Sequence, residues 1–538
     1  MSRKSKPNII LILADDMGFS DLGCMGSEIK TPNIDRLASG GQTYTSMYNC
    51  ARCCPTRASL LTGLYPHKAG IGHMTASYGS AEYQGYLRND AVTIAEVLRL
   101  DGYRTLMSGK WHVGGSYKPR ESDLWTPGDL AHPTPRQRGF DKFFGTLDGS
   151  GSFFFPHYIG EDDCQIAVET DDFYMTDAIT DKAVDMIEES VADEKPFFLY
   201  LAYTAPHWPL HAKEEDIAKY QGMYRNGWDT LRTSRHEEML GKNILEGNWE
   251  ISPRDPTVHS WADEKNRDWE DSRMATYAAM VDCMDQGIGR VMAKLKQLGV
   301  DKDTLILFLS DNGGCAEFLA EEGWVESYPD ISPEGKKIVQ GNIPNLAPGS
   351  GKTFQSYEAP WSNVSNAPFR MHKSWVHEGG ISTPLIAHWP NGIAQSAIVH
   401  TARHVSDIMP TILDVSGASY PKDFDGVGIQ NLDGESMFGV FLNGHGEREQ
   451  PIFWEHEGNC AMREGNWKLV REFGRDWELY NMAFDRTELH NLRDKDQNRA
   501  ERMIKEYDAW AKKTGVVDWA VICAHPAMDW VKPAKPEI

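Results

Sequence analysis

The chain has 538 residues, with 55 lysines and arginines against 78 aspartates and glutamates, and its formal net charge is −23. Hydrophobic residues make up 41% and charged residues 25% of the chain, which excludes a largely disordered protein and predicts two or three globular domains. The acidic balance argues against nucleic acid as a partner, because phosphate binding needs a positive surface, and no apolar run reaches the roughly 20 residues of a membrane-spanning helix.

The N-terminal sequence leaves the cellular compartment open. The first apolar run, residues 9–14, is short even for the core of a signal peptide. As written, the sequence predicts a cytoplasmic protein, and a periplasmic or secreted protein would follow if a signal peptide had been removed. The nine cysteines are odd in number and scattered, a pattern that is not typical of a secreted disulfide framework.

Apolar runs and helical patterns alternate along most of the chain. Continuous apolar runs, which suit strands buried on both faces, occur at residues 8–14, 197–203, 304–309 and, more weakly, 384–388. Helical periodicity appears between them at 92–100 and 274–298, whereas 208–272 is polar and predicts a long excursion from the sheet. The sequence therefore predicts an α/β fold, with a large, mostly parallel sheet sandwiched by helices.

The C-terminal part has a different pattern. Short β-like segments, with Gly474 in a hairpin turn between the last two, are found at residues 452–454, 466–470 and 477–480. An amphipathic helix is predicted over 494–514. We therefore predict a catalytic α/β domain over 1–435, a linker within 417–450, and a smaller C-terminal α+β domain over 436–538 that carries an antiparallel sheet.

Oxygen-bearing side chains follow two of the predicted strands. Asp15 and Asp16 come directly after the first strand, and Asp311 and Asn312 follow a later one. The carboxyl ends of strands in an open α/β sheet form a ligand crevice, and Ca²⁺ and Mg²⁺ prefer carboxylate and amide oxygens. The alternative is ordinary turn chemistry, since Asp and Asn commonly end strands. The two pairs together favour a hard-cation site.

The segment Cys53-Cys54-Pro55-Thr56-Arg57 is the sharpest local feature. Pro55 suits the first turn of a helix that ends near Gly63, which places Cys53 just before a helix N-terminus. Such an end favours an anion, and Arg57 lies about one turn further on. A cysteine there would be activated or converted into another group. The alternatives are a small buried residue, or a zinc or redox site formed by Cys50-x-x-Cys53-Cys54.

These residues resemble a known signature. Cys53-x-Pro55-x-Arg57 followed by Leu61-Thr62-Gly63 is similar to the motif of type I sulfatases of the alkaline phosphatase superfamily, and the chain as a whole is most similar to bacterial arylsulfatases of the pseudomonad type. Further segments that resemble family motifs, in order, are Asp15-Asp16, Gly109-Lys110-Trp111-His112-Val113-Gly114, Pro206-His207-Trp208-Pro209, Asp311-Asn312-Gly313, Lys373-x-x-x-His377-Glu378-Gly379-Gly380, Trp467-Lys468-Leu469-Val470 and Trp477-Glu478-Leu479-Tyr480.

The resemblance implies a site and two cofactors. It implies that a separate formylglycine-generating enzyme converts Cys53 to formylglycine, and that the chain binds one Ca²⁺. The implied metal ligands are Asp15, Asp16, Cys53, Asp311 and Asn312. The implied catalytic residues are Cys53, Arg57, Lys110, His112, His207 and Lys373.

The implied reaction is the hydrolysis of aryl or carbohydrate sulfate monoesters through a formylglycine hydrate and a sulfated enzyme. Such a reaction needs cations around the sulfonate, a strong nucleophile and an acid for the leaving oxygen, which these residue types can supply. The expected partners are a small-molecule or terminal-sugar sulfate ester and the maturation enzyme, without nucleic acid or membrane. The alternative in the same fold is a formylglycine-dependent phosphonate monoester hydrolase or phosphodiesterase.

Overall fold

The computed structural model describes residues 6–116, 126–168, 172–245, 249–321, 331–332 and 335–531. The strands are β1 (Asn8–Ala14), β2 (Gln42–Tyr48), β3 (Arg104–Lys110), β4 (Lys142–Thr146), β5 (Ile159–Glu161), β6 (Cys164–Ile166), β7 (Phe197–Ala202), β8 (Thr304–Ser310), β9 (Val339–Gln340), β10 (Thr353–Phe354), β11 (Ser382–His388), β12 (Ala397–Val399), β13 (Arg403–His404), β14 (Asp423–Phe424), β15 (Val427–Gly428), β16 (Ile452–His456), β17 (Asn459–Glu464), β18 (Trp467–Arg471) and β19 (Glu478–Asn481). The α-helices are α1 (Pro32–Ser39), α2 (Cys53–Thr62), α3 (Pro66–Ala69), α4 (Ile94–Leu100), α5 (Met175–Ala192), α6 (Glu214–Ile217), α7 (Gly227–Gly241), α8 (Arg267–Gln297), α9 (Glu358–Ser365), α10 (Glu378–Ile381), α11 (Ile408–Ser416), α12 (Phe438–Asn443), α13 (Gln497–Thr514) and α14 (Trp519–Cys523).

A mixed sheet of eleven strands forms the centre of the molecule. Its spatial order is β12-β2-β11-β8-β1-β7-β3-β4-β5-β6, and β13 also pairs with β2. Strand β1 lies parallel between β7 and β8, and β3 continues the parallel part beyond β7. Strand β11 is antiparallel to both β2 and β8, and β5 and β6 form an antiparallel edge. The predicted large, mostly parallel sheet is confirmed.

Helices cover both faces of this sheet. Along β1, Ile10 and Ile12 pack with α1, α5 and α8 on one face, whereas Ile9 and Leu11 pack with α2, α4 and α11 on the other. Side chains alternate along a strand, so a strand covered on both faces reads as one continuous apolar run. This burial explains why β1, β7 and β8 were predictable. No helix within the described residues is long and apolar enough to cross a membrane.

The polar excursion contains a helix that the sequence analysis missed. Helix α7 buries Trp228, Arg232, Arg235 and Met239, which have helical spacing. Two of these are arginines, and Arg235 is held by a carboxylate oxygen of Asp21 at 2.7 Å. A buried stripe made partly of arginines carries no hydrophobic periodicity, which is why the pattern of apolar residues did not reveal it.

The C-terminal unit is a four-stranded antiparallel sheet, β16-β17-β18-β19, with α13 on one face. Its opposite face packs on the central domain, where Trp454 meets Tyr48. Gly474, with φ of +76°, turns between β18 and β19, which confirms the predicted hairpin. Strand β17 was not predicted. The domain boundary at 435/436 stays a prediction, and α12 beyond it packs with the central core.

Candidate active site

Four polar side chains lie together at the ends of two neighbouring strands. Strands β1 and β8 are parallel and in register, so Asp15 and Asp16 emerge beside Asp311 and Asn312. The Asp16 amide donates to Asp311 Oδ1 at 3.2 Å, and Asn312 Nδ2 donates to Asp16 Oδ1 at 2.7 Å. All four side chains are almost fully buried. The structure therefore brings together the two pairs that the sequence separates by almost 300 residues.

Helix α2 brings Cys53 and Arg57 to the same place. Cys53 is the first residue of the helix, after an extended Arg52, so the helix begins two residues earlier than Pro55 suggested. All ten residues of α2 are buried. Arg57 donates from Nη2 to Asp311 Oδ2 at 2.7 Å and from Nη1 to the Lys110 carbonyl at 2.9 Å. The helix thus fixes a buried guanidinium one turn after the cysteine.

Lys110 and His112 approach from the end of β3. Lys110 is fully buried and donates to Asp15 Oδ2 at 2.5 Å. His112 has a positive φ of 54°, and its Nδ1 is buried without a hydrogen-bond partner. A Cβ at Gly149 would lie only 2.6 Å from the His112 ring, so a glycine there allows the close approach. The thiols of Cys53 and Cys54 and one His112 ring nitrogen lie within 4.8 Å of one another.

Lys373 and His207 close the other side of the cluster. Lys373 Nζ lies 2.9 Å from Asp16 Oδ2 and 3.3 Å from His207 Nε2. His207 Nδ1 lies 2.6 Å from the Trp208 carbonyl oxygen, which can only accept, so Nδ1 carries a proton. In the neutral ring, Nε2 is then the acceptor, and it faces the ammonium group of Lys373. The pair can therefore share one proton at the edge of the site.

The carboxylates hold unpaired oxygen atoms and unusual pKa values. Asp15 Oδ1 and Asn312 Oδ1 are buried without a hydrogen-bond partner. Burial raises the pKa of Asp15 to about 6 and that of Asp311 to about 7, despite the nearby Lys110 and Arg57. A hard cation would satisfy both unpaired oxygens and supply the positive charge that these carboxylates lack. The donor set, which consists of oxygen atoms, fits Ca²⁺ or Mg²⁺.

The nitrogen bases and the thiol are shifted in directions that suit proton transfer. Burial lowers the pKa of His207 to about 4 and lowers the pKa of His112 as well. The pKa of Lys373 is raised, because Asp16 outweighs the effect of burial. The pKa of the Cys53 thiol is lowered by a hydrogen bond from Cys54, against burial, and by Lys110. The imidazoles are thus neutral acceptors at neutral pH, whereas Lys373 keeps its proton.

Two charged residues at the rim were missed by the sequence analysis. Glu317 contacts Arg52 at 3.1 Å, the Trp208 indole nitrogen at 2.7 Å and Lys373 Nζ at 3.8 Å. Neither Arg52 nor Glu317 belongs to a recognisable sequence motif. The one available signal was that Glu317 follows the Asp311-Asn312 pair by a few residues. Trp111, which lies between Lys110 and His112 in the sequence, is fully buried and donates to the Pro133 carbonyl, so it belongs to the core.

Comparison with known proteins identifies the relatives of this chain. The family model described as Sulfatase matches residues 7–418, and the model described as N-sulphoglucosamine sulphohydrolase, C-terminal, matches residues 369–509. An uncharacterized sulfatase of Schizosaccharomyces pombe is 32% identical, over 99% of this chain and 98% of the relative. An arylsulfatase of Klebsiella aerogenes is 32% identical, over 82% of this chain and 93% of its own length.

A solved structure shares the architecture. The crystal structure of Ps i-CgsB in complex with k-i-k-neocarrahexaose superimposes with a TM-score of 0.67 at 27% sequence identity. The match covers 94% of this chain and 93% of that one. Both the central α/β part and the C-terminal sheet therefore have counterparts in a solved relative.

Proposed function

The chain belongs to the sulfatase family and is a hydrolase of sulfate monoesters, and we propose that it acts through a formylglycine at residue 53 beside one bound Ca²⁺. One observation carries the proposal. Cys53 begins a buried helix next to carboxylate and amide oxygens that have no partner, and three buried cations surround it. The cations are Arg57, Lys110 and Lys373. Buried cations in this arrangement stabilise negative charge. They therefore favour an anionic sulfate ester next to an ionised nucleophile over a neutral ligand.

Asp15, Asp16, Asp311 and Asn312 would hold the cation, together with residue 53. The Cys53 sulfur stands in the structure where the converted side chain would place its oxygen atoms. When present, the cation and the aldehyde group supply an oxygen nucleophile at residue 53. Calcium is favoured because the other ligands are all oxygen atoms and are partly carboxylate.

The buried cations bind and orient the sulfate. Arg57 is fixed to Asp311, and Lys110 to Asp15, so both are held in place before the substrate arrives. Preorganised charges in a site that excludes water stabilise the charge that develops in the transition state without reorganising. A single cation at such a position typically contributes 10²- to 10³-fold in rate, by analogy with other preorganised donors.

The two histidines have different neighbours, and we assign them different protons. We assign donation to the leaving oxygen to His207 and Lys373, which share one proton across 3.3 Å. His112 lies beside Cys53 with a free Nδ1 and a lowered pKa, so it can accept a proton when sulfate is released. The division follows from position, since His207 contacts Lys373 and His112 contacts the thiol.

Substitution of Cys53 tests the proposal. Cys53→Ala should abolish turnover of an aryl sulfate, while Cys54→Ala, the matched control at the adjacent position, should keep most of it. Circular dichroism should show both variants folded. Mass analysis of the peptide that contains both cysteines should show conversion at residue 53 and not at residue 54. Full activity in Cys53→Ala would exclude this mechanism.

The leaving group is the second question. The relatives include a protein named arylsulfatase and one crystallised with a carrahexaose, so we propose a small aryl sulfate or a terminal sugar sulfate as substrate. Turnover of aryl, steroid and sugar sulfates by matured enzyme would choose between them. A phosphonate monoester or phosphate diester turned over faster than every sulfate would favour the alternative hydrolase. We also propose a formylglycine-generating enzyme as the maturation partner.

A further inference from the structure

We use the term catalytic cluster for the proposed catalytic residues and metal ligands, which are Asp15, Asp16, Cys53, Arg57, Lys110, His112, His207, Asp311, Asn312 and Lys373. A second group of possible metal ligands lies outside this cluster. It consists of His73, which follows α3, and of His456 and Glu457 at the turn between β16 and β17. One ligand atom from each of the three lies within 4.8 Å of the others. The two histidines are 2% and 1% exposed. The group therefore joins the central domain to the C-terminal sheet, with both histidines in the interior and the Glu457 side chain 27% exposed.

The two imidazoles have no hydrogen-bond partner at ordinary distance and geometry, and the nearest acceptor, Glu457 Oε1, lies 3.5 Å from His456 Nε2. Within the part of the chain that the structure describes, His73 and His456 are the two histidines for which both ring nitrogens are buried without a hydrogen-bond partner. Their rings lie 5.3 Å apart, and the rings of Tyr78 and Trp519 pack against His73. Buried polar atoms in native proteins nearly always have a partner, so four such nitrogens in one place point to a missing ligand.

The distances fit an ion between the side chains. Glu457 Oε1 lies 3.5 Å from His456 Nε2 and 4.0 Å from His73 Nδ1, which is longer than an ordinary hydrogen bond. Ligands about 2.0–2.1 Å from a tetrahedral zinc ion are about 3.3 Å from one another. The two distances to Glu457 exceed this spacing by less than about 1 Å, and the distance between the two histidine nitrogens, which is at most 4.8 Å, exceeds it by at most about 1.5 Å, so a small contraction would place all three atoms around one ion. Burial also lowers the pKa of His73 to about 3, which keeps the ring in the neutral form that ligates metals.

We propose that His73, His456 and Glu457 bind a transition-metal ion, with zinc the best match, and that this ion fastens the C-terminal sheet to the central domain. Two imidazoles and one carboxylate, with a fourth position for water, are a typical zinc ligand set. Calcium prefers oxygen ligands and would bind instead at the ends of β1 and β8, where Asp15, Asp16, Asp311 and Asn312 lie. Arg52 Nη1 also lies 3.5 Å from Glu457 Oε1, but it has Glu317 and Ser374 as further partners.

Zinc titration of the metal-stripped full chain in excess Ca²⁺ tests the proposal. The parent for this experiment is Cys53→Ala, because the Cys53, Cys54 and His112 cluster would otherwise compete for zinc. We expect one zinc per chain by calorimetry and elemental analysis. Affinity should fall about 100-fold or more in His73→Asn and in His456→Asn. Cobalt should give visible d–d bands without a thiolate charge-transfer band.

His67→Asn is the matched control. His67 is equally buried and joins the same two regions, but its Nε2 already pairs with Glu455 Oε2 at 2.9 Å. The His67→Asn variant should still bind one zinc per chain. Zinc should raise the Tm of this variant and of the parent, but it should not raise the Tm of His73→Asn. If the parent binds no zinc, the cavity holds water only and the proposal is wrong. Zinc binding that survives both His73→Asn and His456→Asn also overturns it. Zinc binding by the parent is measured without substituting any proposed zinc ligand. The proposal can therefore be rejected even if the ligand variants fail to fold.

Discussion

Two of the clusters of buried charge within the described residues differ in how completely their carboxylates are paired. In the catalytic cluster, Asp15 Oδ1 has no partner, and burial raises the pKa of Asp311 to about 7. In the second cluster, which we term the interdomain cluster, Glu378 accepts from four side chains at 2.8–3.0 Å. Its donors are Lys468, Arg486, Tyr48 and Ser382.

The pKa values follow the pairing. Burial alone would raise the pKa of Glu378, but Lys468 and Arg486 outweigh it and lower the value to about 2. The Glu378 carboxylate is thus satisfied by protein side chains and connects α10 to the C-terminal sheet, although Arg486 Nη1 beside it has no hydrogen-bond partner. The catalytic cluster leaves oxygens open for a ligand. The full pairing of the Glu378 carboxylate indicates a structural role, whereas the unpaired oxygen atoms of Asp15 and Asn312 indicate a binding site.

Breaking the interdomain cluster should have the largest effect on stability. Lys468→Met removes a fully buried ammonium that lies 2.8 Å from both Glu378 and Glu488. Because two carboxylates lose a buried partner, we expect a loss of about 3–5 kcal/mol in the free energy of unfolding, measured by urea denaturation. Activity per folded molecule should stay within about threefold of wild type, because no catalytic group is touched. A stable, inactive variant would contradict this separation.

Breaking the catalytic cluster should instead affect turnover. Lys110→Met removes the cation beside Asp15, and we expect kcat for an aryl sulfate to fall by about 10²- to 10³-fold, or about 2.7–4 kcal/mol. The loss should appear in kcat more than in KM if Lys110 acts mainly in the transition state. Steady-state kinetics on folded protein, checked by circular dichroism, measures it. An unchanged kcat would remove Lys110 from the proposed site.

Asp15 and Asp311 should respond to pH with a sign opposite to that of Glu378. In metal-free protein their raised pKa values, about 6 and about 7, mean that the stability these two groups contribute is fully present below about pH 4 and is lost as pH rises through 6 to 7. Calcium should reverse this loss, so its stabilising effect should grow between pH 5 and pH 8. At about a hundredfold excess over Kd it should reach about 2.7 kcal/mol. Melting curves with and without Ca²⁺ measure it.

Glu378 supplies the control for that pH dependence. Its lowered pKa contributes stability above about pH 4.5 that is lost as pH falls towards 2. Glu378→Gln should remove this acid-dependent loss and leave the calcium effect unchanged. An equal calcium effect at pH 5 and pH 8 in wild type would show that Asp15 and Asp311 do not hold the ion.

The smallest effect is expected where a single donor is removed from the paired cluster. Tyr48→Phe deletes the hydroxyl that donates to Glu378 Oε2 at 3.0 Å and keeps the ring. One of four donors to a carboxylate contributes about 1.5–3 kcal/mol, and we expect a value near the low end because the other three remain. Denaturation in urea measures the loss. A loss as large as that of Lys468→Met would mean that the hydroxyl, which also accepts a hydrogen bond from Arg463 Nη1, matters as much as the buried ammonium, and would contradict this ranking.

Much of the site could be predicted from local motifs. Cys53, Arg57 and Lys110 lie in short segments whose residue types and spacing are unusual, and the structure places them within one pocket. Glu317 and Arg52 were not predicted, because neither belongs to a recognisable motif and Glu317 meets Arg52, Trp208 and Lys373 only in the folded chain. Helix α7 was also missed, because Arg232 and Arg235 occupy half of its buried stripe.

The sequence by itself determined the central strands and the residues around Cys53, because both depend on neighbouring residues. A strand buried on both faces is a continuous apolar run, and the start of α2 is marked by Pro55 close to Cys53. Tertiary structure alone decided which charges are paired. Glu378 and Lys468 are 90 residues apart, and His73 meets His456 across the domain junction. Whether a buried charge is satisfied or open depends on partners distant in sequence, so only the folded chain separates a structural ion pair from a binding site.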